Sequence, residues 1–147
     1  MRNHYTLALR ISAVLWLIWG IIHVLGGVLT MKEDTTSGFQ EIAAAVDPSE
    51  LVADYHPAVG AILNQHGWNM FWAGAVTMVG AFFIWRKNVT SIWVTALVGG
   101  LFDIGYFVFV DLGGYGTFFP GSSMTYVSAS AILLSFWAWY AGREFLK

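Results

Sequence analysis

Four apolar stretches alternate with short polar ones along this chain, and their lengths predict its elements. Residues 11–31 carry no acidic or basic side chain apart from His23. At 1.5 Å per residue such a run spans roughly 30 Å, the thickness of a bilayer's hydrocarbon layer. A second run opens in Asn64-Gln65-His66-Gly67-Trp68-Asn69 and lasts from about 66 to 85. Arg86-Lys87-Asn88 reads as a tight turn. The third run covers about 89–110, and Asp111 marks its exit. Leu112 to Ser122 is a Gly-containing loop with Pro120-Gly121 as a turn signal, and the fourth run covers about 123–141. A cleaved signal peptide competes for the first run, but the run exceeds a typical signal core and no clear small-x-small site precedes Lys32.

Residues 32–65 form the long polar connection. A structureless loop of that length is unusual in a compact domain, so helices are expected inside it. Ser37 is placed to cap one in which Phe39, Ile42, Ala43 and Val46 share a face. Asp47-Pro48-Ser49-Glu50 reads as a second helix start, with Pro48 at the first helical position. The expected fold is an all-α integral membrane protein. It is one domain over 1–147, an up-down bundle of four transmembrane helices with a short helical cap on the outer side.

Composition agrees with lipid as the solvent. Hydrophobic residues make up 57% of the 147 and charged residues 11%, against about 45–50% and about 25% in soluble domains. Eight Trp, six Tyr and eleven Phe suit the aromatic girdles of a membrane protein. The absence of Cys excludes disulfides and thiolate chemistry. No basic stripe suggests nucleic acid. Charge sets the orientation: Arg2, Arg10, Arg86, Lys87, Arg143 and Lys147 fall on one side of the four runs and Lys32 alone on the other. The positive-inside rule then puts both termini in the cytoplasm and the 32–65 cap outside.

Polar residues inside the runs are the candidates for chemistry. His23 lies seven residues before Thr30, about 10 Å below the outer edge, and Asp103 eight before Asp111, about 12 Å below it. An ionisable group in a membrane helix costs a few kcal/mol and usually faces the bundle interior beside a partner. His23 and Asp103 are therefore expected within direct or water-bridged reach. Two readings stand: a structural bond between the first and third helices, or a ligand, proton or substrate contact. His23 shares a face with Trp16, Trp19, Gly20 and Gly27, and Asp103 with Gly99 and Tyr106. His66 and Asn69 continue to Ala73 and Gly80, and Ser123, Tyr126 and Ser130 form a stripe on the fourth run. Gly67 beside His66 would let a planar ligand approach the backbone, with Trp68 and Trp72 as an aromatic wall. Trp19 and Trp72 lie deep enough to line a cavity. His4 reads as a terminus residue, and His56, before Pro57, as a loop residue rather than a ligand. His66 also has a plain reading, as an interfacial residue capping the second helix.

Metalloprotease, phosphate-loop and nucleophile-elbow motifs are absent. His23, His66 and Asp103 would offer an N/N/O set suited to zinc or iron. A single axial histidine would also hold a five-coordinate haem.

These residues also resemble the styrene oxide isomerase family, small bacterial four-span membrane proteins. GIIHVLGG at 20–27 is similar to that family's first-helix end. His66 matches the histidine that opens its second helix, and GLFDIGYFVF at 100–109 resembles its third-helix pattern Gly-x-x-Asn-x-Gly-Phe-Tyr-Phe-Phe. The resemblance implies haem b bound by His66 at a subunit interface of a trimer in the inner membrane. Its iron would act as a Lewis acid that rearranges an epoxide to an aldehyde. Departures from the pattern fall at the substrate-positioning residues. The family's third-helix Tyr falls at Phe107, with Tyr106 one place away. Its second-helix Asn falls at Trp72, with Asn69 three residues after His66. Its first- and third-helix Asn become His23 and Asp103.

The expected function is accordingly a haem b-dependent, isomerase-like enzyme acting on a small apolar substrate. Tyr106, Asn69 and Asp103 are its catalytic candidates. His66, Trp72 and His23 are its cofactor contacts, with His66 on the metal. The alternatives are a non-enzymatic haem- or lipid-binding subunit, and a non-haem metal or proton-relay protein built on His23, His66 and Asp103.

Overall fold

The computed structural model describes residues 2–43, 51, 54–116 and 118–144, and the expected second cap start at 47–50 lies outside them. The described chain is all α. Helix α1 is Arg2–Lys32, α2 Thr35–Ala43, α3 Pro57–Trp85 and α4 Val89–Tyr106. A π-helical turn, Phe107–Asp111, continues α4, and α5 (Phe118–Gly121) precedes α6 (Ser123–Gly142). Three helical segments are long and apolar enough to cross a membrane: His4–Lys32, Pro57–Trp85 and Val89–Asp111.

Local chemistry sets the boundaries. Asn88 caps α4 by accepting from the Ser91 N–H at 2.9 Å. Lys87 turns the chain with φ at 65°. Helix α2 is capped by Asp34 rather than by Ser37. The Thr36 and Ser37 N–H groups donate to Asp34 Oδ1 at 2.9 and 3.1 Å, and the Ser37 hydroxyl donates to Oδ2. Helix α3 starts nine residues earlier than expected. Pro57 occupies its first turn, and His56 caps it by accepting from the Ala58 N–H at 3.2 Å. His66 thus lies in the third turn, and the capping role belongs to His56.

Four long helices pack in the ring order α1, α3, α4, α6, with α1 and α3 the most closely associated pair. Their contacts run up-down. Ser12 of α1 donates to the Ala131 carbonyl of α6 at 2.8 Å, and Gly142 meets Tyr5. On the α1–α3 seam Gly20 faces Gly74 and Gly27 faces Gly67, two pairs seven residues apart on antiparallel helices. A Cβ on Gly74 would stand 2.6 Å from the Gly20 carbonyl oxygen, so the backbones meet there directly. Gly67 is thereby committed to α1 and offers no approach to a ligand. Across the diagonal, Trp16 and Trp19 reach from α1 to α4, both with no exposed surface. Helix α6 turns Ser128, Ala131, Ser135 and Ala138 inward, leaving Tyr126 and Ser130 of the expected stripe exposed. The small residues win the interior because they let α6 approach α1 and α4.

The arrangement is inside out relative to a soluble bundle. Ile11, Ile18, Leu25, Val79, Leu97, Leu101 and many other large apolar side chains are exposed, whereas Ser12, Thr30, Thr77, Thr95 and Asp103 are buried. An apolar surface of that extent marks an interaction site, and the three long apolar helices suggest a membrane protein.

Candidate functional site

Beneath α2 the bundle contains a cavity of about 490 Å³. Its roof is Phe39 of α2, which packs on Tyr55 with ring centroids 5.3 Å apart. Gly38 sits against Leu63, and Thr35 against Gly60, which lays α2 across the first turns of α3. Ile62, Leu63 and His66 of α3 form one wall, and Phe102, Tyr106 and Phe109 form the other. His66 and Tyr106 supply the hydrogen-bonding side chains in an otherwise apolar lining. The π-helical turn belongs to this wall. It adds one residue to the turn, and the Leu112 N–H reaches back to the Phe107 carbonyl at 2.9 Å. Such turns recur at functional sites because they re-aim the side chains around them. Asp111 at its end is tied to the start of α6 by the Ser122 hydroxyl at 2.8 Å.

Behind Phe102 lies a second group of polar residues. Trp19 Nε1 donates to Asp103 Oδ2 at 2.8 Å. His23 stacks on Trp19, with centroids 3.5 Å apart and planes 18° from parallel, and Phe102 meets it edge-on at 5.5 Å. His23 Nε2 stands 3.9 Å from Asp103 Oδ1, so the two residues at equal depth do meet. Asp103 is 4% exposed and His23 7%. The gap exceeds a direct hydrogen bond. Its chemistry follows from the other ring nitrogen. His23 Nδ1 is 2.8 Å from the Trp19 carbonyl oxygen, which can only accept, so Nδ1 carries the proton. In the neutral ring Nε2 then points a lone pair at a carboxylate. A proton on either partner, or a donor bridging them, makes the contact attractive. The Ser128 hydroxyl, which donates to the Thr125 carbonyl at 3.1 Å, lies beside the same carboxylate.

His66 does not join this pair directly. Its ring is 5.8 Å from that of Phe102, which packs against both histidines. Among the described residues no group of three or more His, Asp or Glu is disposed to hold a metal ion, so His23, His66 and Asp103 do not assemble the N/N/O set. Of the remaining candidates, Tyr106 lines the cavity. Asn69 and Trp72 do not; they bond to each other, Trp72 Nε1 donating to Asn69 Oδ1 at 3.1 Å, and Trp72 is 41% exposed. Trp68 stacks on Phe71 and also faces outward. Trp19 is buried, as the reading of its depth required, but it serves Asp103 and not a cavity wall. Phe39 was expected only as part of the cap helix's apolar face, and Phe102 was not singled out at all. Bare phenylalanines carry no chemical signal, and only their place in the lining of one cavity, from α2 and from α4, makes them part of a site.

Comparison with family models, curated proteins and solved structures finds no match.

Haem can be tested against this lining. His66 is a competent axial ligand, and the phenylalanine walls suit a porphyrin face. Two carboxylates must also be met, and among the described residues no Arg or Lys lines the cavity. The cavity of a single chain therefore does not fit haem b.

Proposed function

We propose that the chain is a four-span inner-membrane protein that binds a small apolar molecule bearing one oxygen in the cavity beneath α2. The observation that carries this reading is the lining itself: about 490 Å³ of apolar wall in which His66 and Tyr106 converge as the polar groups. Pockets of that size and make-up take small ligands, the apolar surface supplying affinity and the few polar groups orientation. Helix α6 makes the fourth span. Its 20 residues carry no charge and run antiparallel to α1 and α4, and at 1.5 Å per residue they cover roughly 30 Å. The end bearing Arg10, Arg86 and Lys87 faces the cytoplasm, so α2 covers the outer end.

The activity for which this site is suited is isomerisation of an epoxide, as the sequence resemblance implies. Such a rearrangement consumes and releases nothing: a C–O bond opens, a hydride shifts to the neighbouring carbon, and the oxygen becomes a carbonyl. A Tyr106 hydroxyl or His66 N–H donating to that oxygen would stabilise the charge it gains in the transition state, and the roof of α2 would exclude competing water. Haem at a subunit interface belongs to the same resemblance and would need its carboxylates met by another chain.

Purified protein in detergent, titrated with an aryl epoxide, tests the reading. Binding should weaken about tenfold in Tyr106→Phe, the worth of about 1.4 kcal/mol for one hydrogen bond in a dry site, and further in His66→Ala. Aldehyde formation should fall in parallel. Unchanged binding in both variants rejects the cavity as the site. A Soret band lost in His66→Ala would move the reading to the haem enzyme. Reporter fusions after Gly142 and at Asp54 should fall on opposite sides of the membrane.

A further inference from the structure

At the opposite end of the bundle, α1 and α3 leave a second hollow of about 560 Å³ on the lipid-facing surface. Ala13 and Ala81 form its floor, both nearly fully buried, and their small side chains make it a groove. Leu17 of α1 and Met78, Phe82 and Trp85 of α3 are its walls. From Ala13 to Leu17 the groove runs four residues along α1, roughly 6 Å into the hydrocarbon layer, with Arg10 about one turn nearer the helix start.

Its mouth is cationic. The Arg10 guanidinium lies 5.1 Å from the centroid of the Trp85 ring, and the Arg86 guanidinium 4.7 Å from that of Phe82. Both rings belong to the groove, so the two cations are held at its rim. Neither has a carboxylate partner among the described residues. Stacking on a ring face fixes a guanidinium without using its N–H donors, which remain directed at whatever occupies the mouth.

We propose that this groove is a binding site for one anionic glycerophospholipid, an acyl chain lying over Ala13 and Ala81 and the phosphate meeting Arg10 and Arg86. Apolar depth alone would take any lipid. The paired guanidiniums at the level of the headgroups select a negative one, as basic pockets between transmembrane helices do. Each such cation contributes about 1 kcal/mol, so the pair corresponds to a preference of roughly thirtyfold for an anionic over a zwitterionic lipid. This site is separate from the cavity beneath α2 and does not depend on how that cavity is used.

Native mass spectrometry of the detergent-solubilised full chain, titrated with phosphatidylglycerol or phosphatidylcholine, tests it. One phosphatidylglycerol should bind well ahead of any further copies, with phosphatidylcholine roughly thirtyfold weaker. Arg10→Gln/Arg86→Gln should abolish the preference. Leu17→Trp, which fills the groove from its exposed wall with both arginines in place, should weaken binding of the first lipid about tenfold. Arg143→Gln removes a guanidinium that lies over Tyr140 outside the groove, and it should change nothing. Equal binding of the two lipids overturns the proposal. So does a preference that survives the double variant. Loss in the double variant with full binding in Leu17→Trp would mean surface attraction without a groove, and would overturn it as well.

Discussion

The two hollows, one bounded by α2, α3 and α4 and the other by α1 and α3, are of similar size, about 490 and 560 Å³, and they are made from opposite materials. The one beneath α2 lies under Phe39, opens to the surface beside Ile62 and Phe109, and presents an imidazole and a phenol, groups that are polar without being obligatorily charged. The one at the other end lies on the exposed surface between α1 and α3 and has two guanidiniums at its rim. Position in the bilayer explains the difference. A permanent cation is tolerated only where it can reach headgroups and water, whereas neutral hydrogen-bonding groups can sit deeper if a ligand or neighbour satisfies them. The small-residue seam of α1 and α3 leaves the second hollow, because helices that touch at glycine cannot fill the space on their flank, whereas the first is bounded by α2, α3 and α4.

The seam is therefore where the largest effect is expected. Gly74→Leu would drive a side chain into the Gly20 carbonyl and the backbone of Val24, which a Cβ already approaches at 2.6 and 2.9 Å. Overpacking costs about 1–3 kcal/mol where side chains can yield, and backbone cannot. The expected outcome is loss of the monodisperse folded protein on size exclusion, and with it loss of both sites. Ligand and lipid binding that both survive would show that the hollows do not depend on the glycine contacts.

Next in size is Asp103. Asp103→Leu strips the buried Trp19 N–H of its acceptor, a loss of about 1–3 kcal/mol. Asp103→Asn keeps a carbonyl oxygen for Trp19 and turns an amide donor toward His23 Nε2. It should therefore melt close to the parent and well above Asp103→Leu. Equal damage from both would mean that Nε2 is not the acceptor deduced from its partner nitrogen. Neither change should alter the lipid preference at the far end, which makes the pair a probe of how independent the two ends are.

How much of this was legible in the sequence follows from what a helix fixes. Rise per residue is constant, so counting from Thr30 and from Asp111 put His23 and Asp103 at one depth, and they meet at 3.9 Å. The apolar runs marked the order of the long helices, and Arg86-Lys87-Asn88 marked the turn between α3 and α4. Rotation about a helix axis is not fixed by counting. Asn69 and Trp72 share the His66 side of α3 only loosely, and they turn out to bond to each other away from the cavity. The start of α3 was obscured because Asn64 and Gln65 are polar and read as loop, yet both are exposed on a helix that has already run two turns. His56-Pro57 held the signal, a capping side chain followed by the residue that favours the first helical position. The groove at the basic end was visible only as a charge asymmetry. That Arg10 and Trp85 lie side by side follows from the register of the seam, which no local pattern encodes.

The smallest effect expected concerns the roof. Asp34 accepts the Ser37 N–H, the Ser37 hydroxyl and the Thr36 N–H at the start of α2. These bonds, those from Ser37 foremost, hold its carboxyl below the ordinary value of 3.8. A group whose folded value is depressed stabilises the folded form fully above its unfolded value and loses that contribution as pH falls through the folded one. The cap should accordingly be intact at neutral pH and weaken only below pH 3.8. Asp34→Ala should mimic that acid state at neutral pH. Hydrogen exchange at Thr36 and Ser37 should quicken several-fold, as expected where local opening is cheap. Because α2 carries Phe39 over the cavity, release of a bound apolar ligand should quicken with it, while phosphatidylglycerol binding at the other end stays as in the parent. Faster exchange at α2 with unchanged ligand release would separate the roof from the site beneath it, and the cavity would then be entered from the lipid side between α3 and α4.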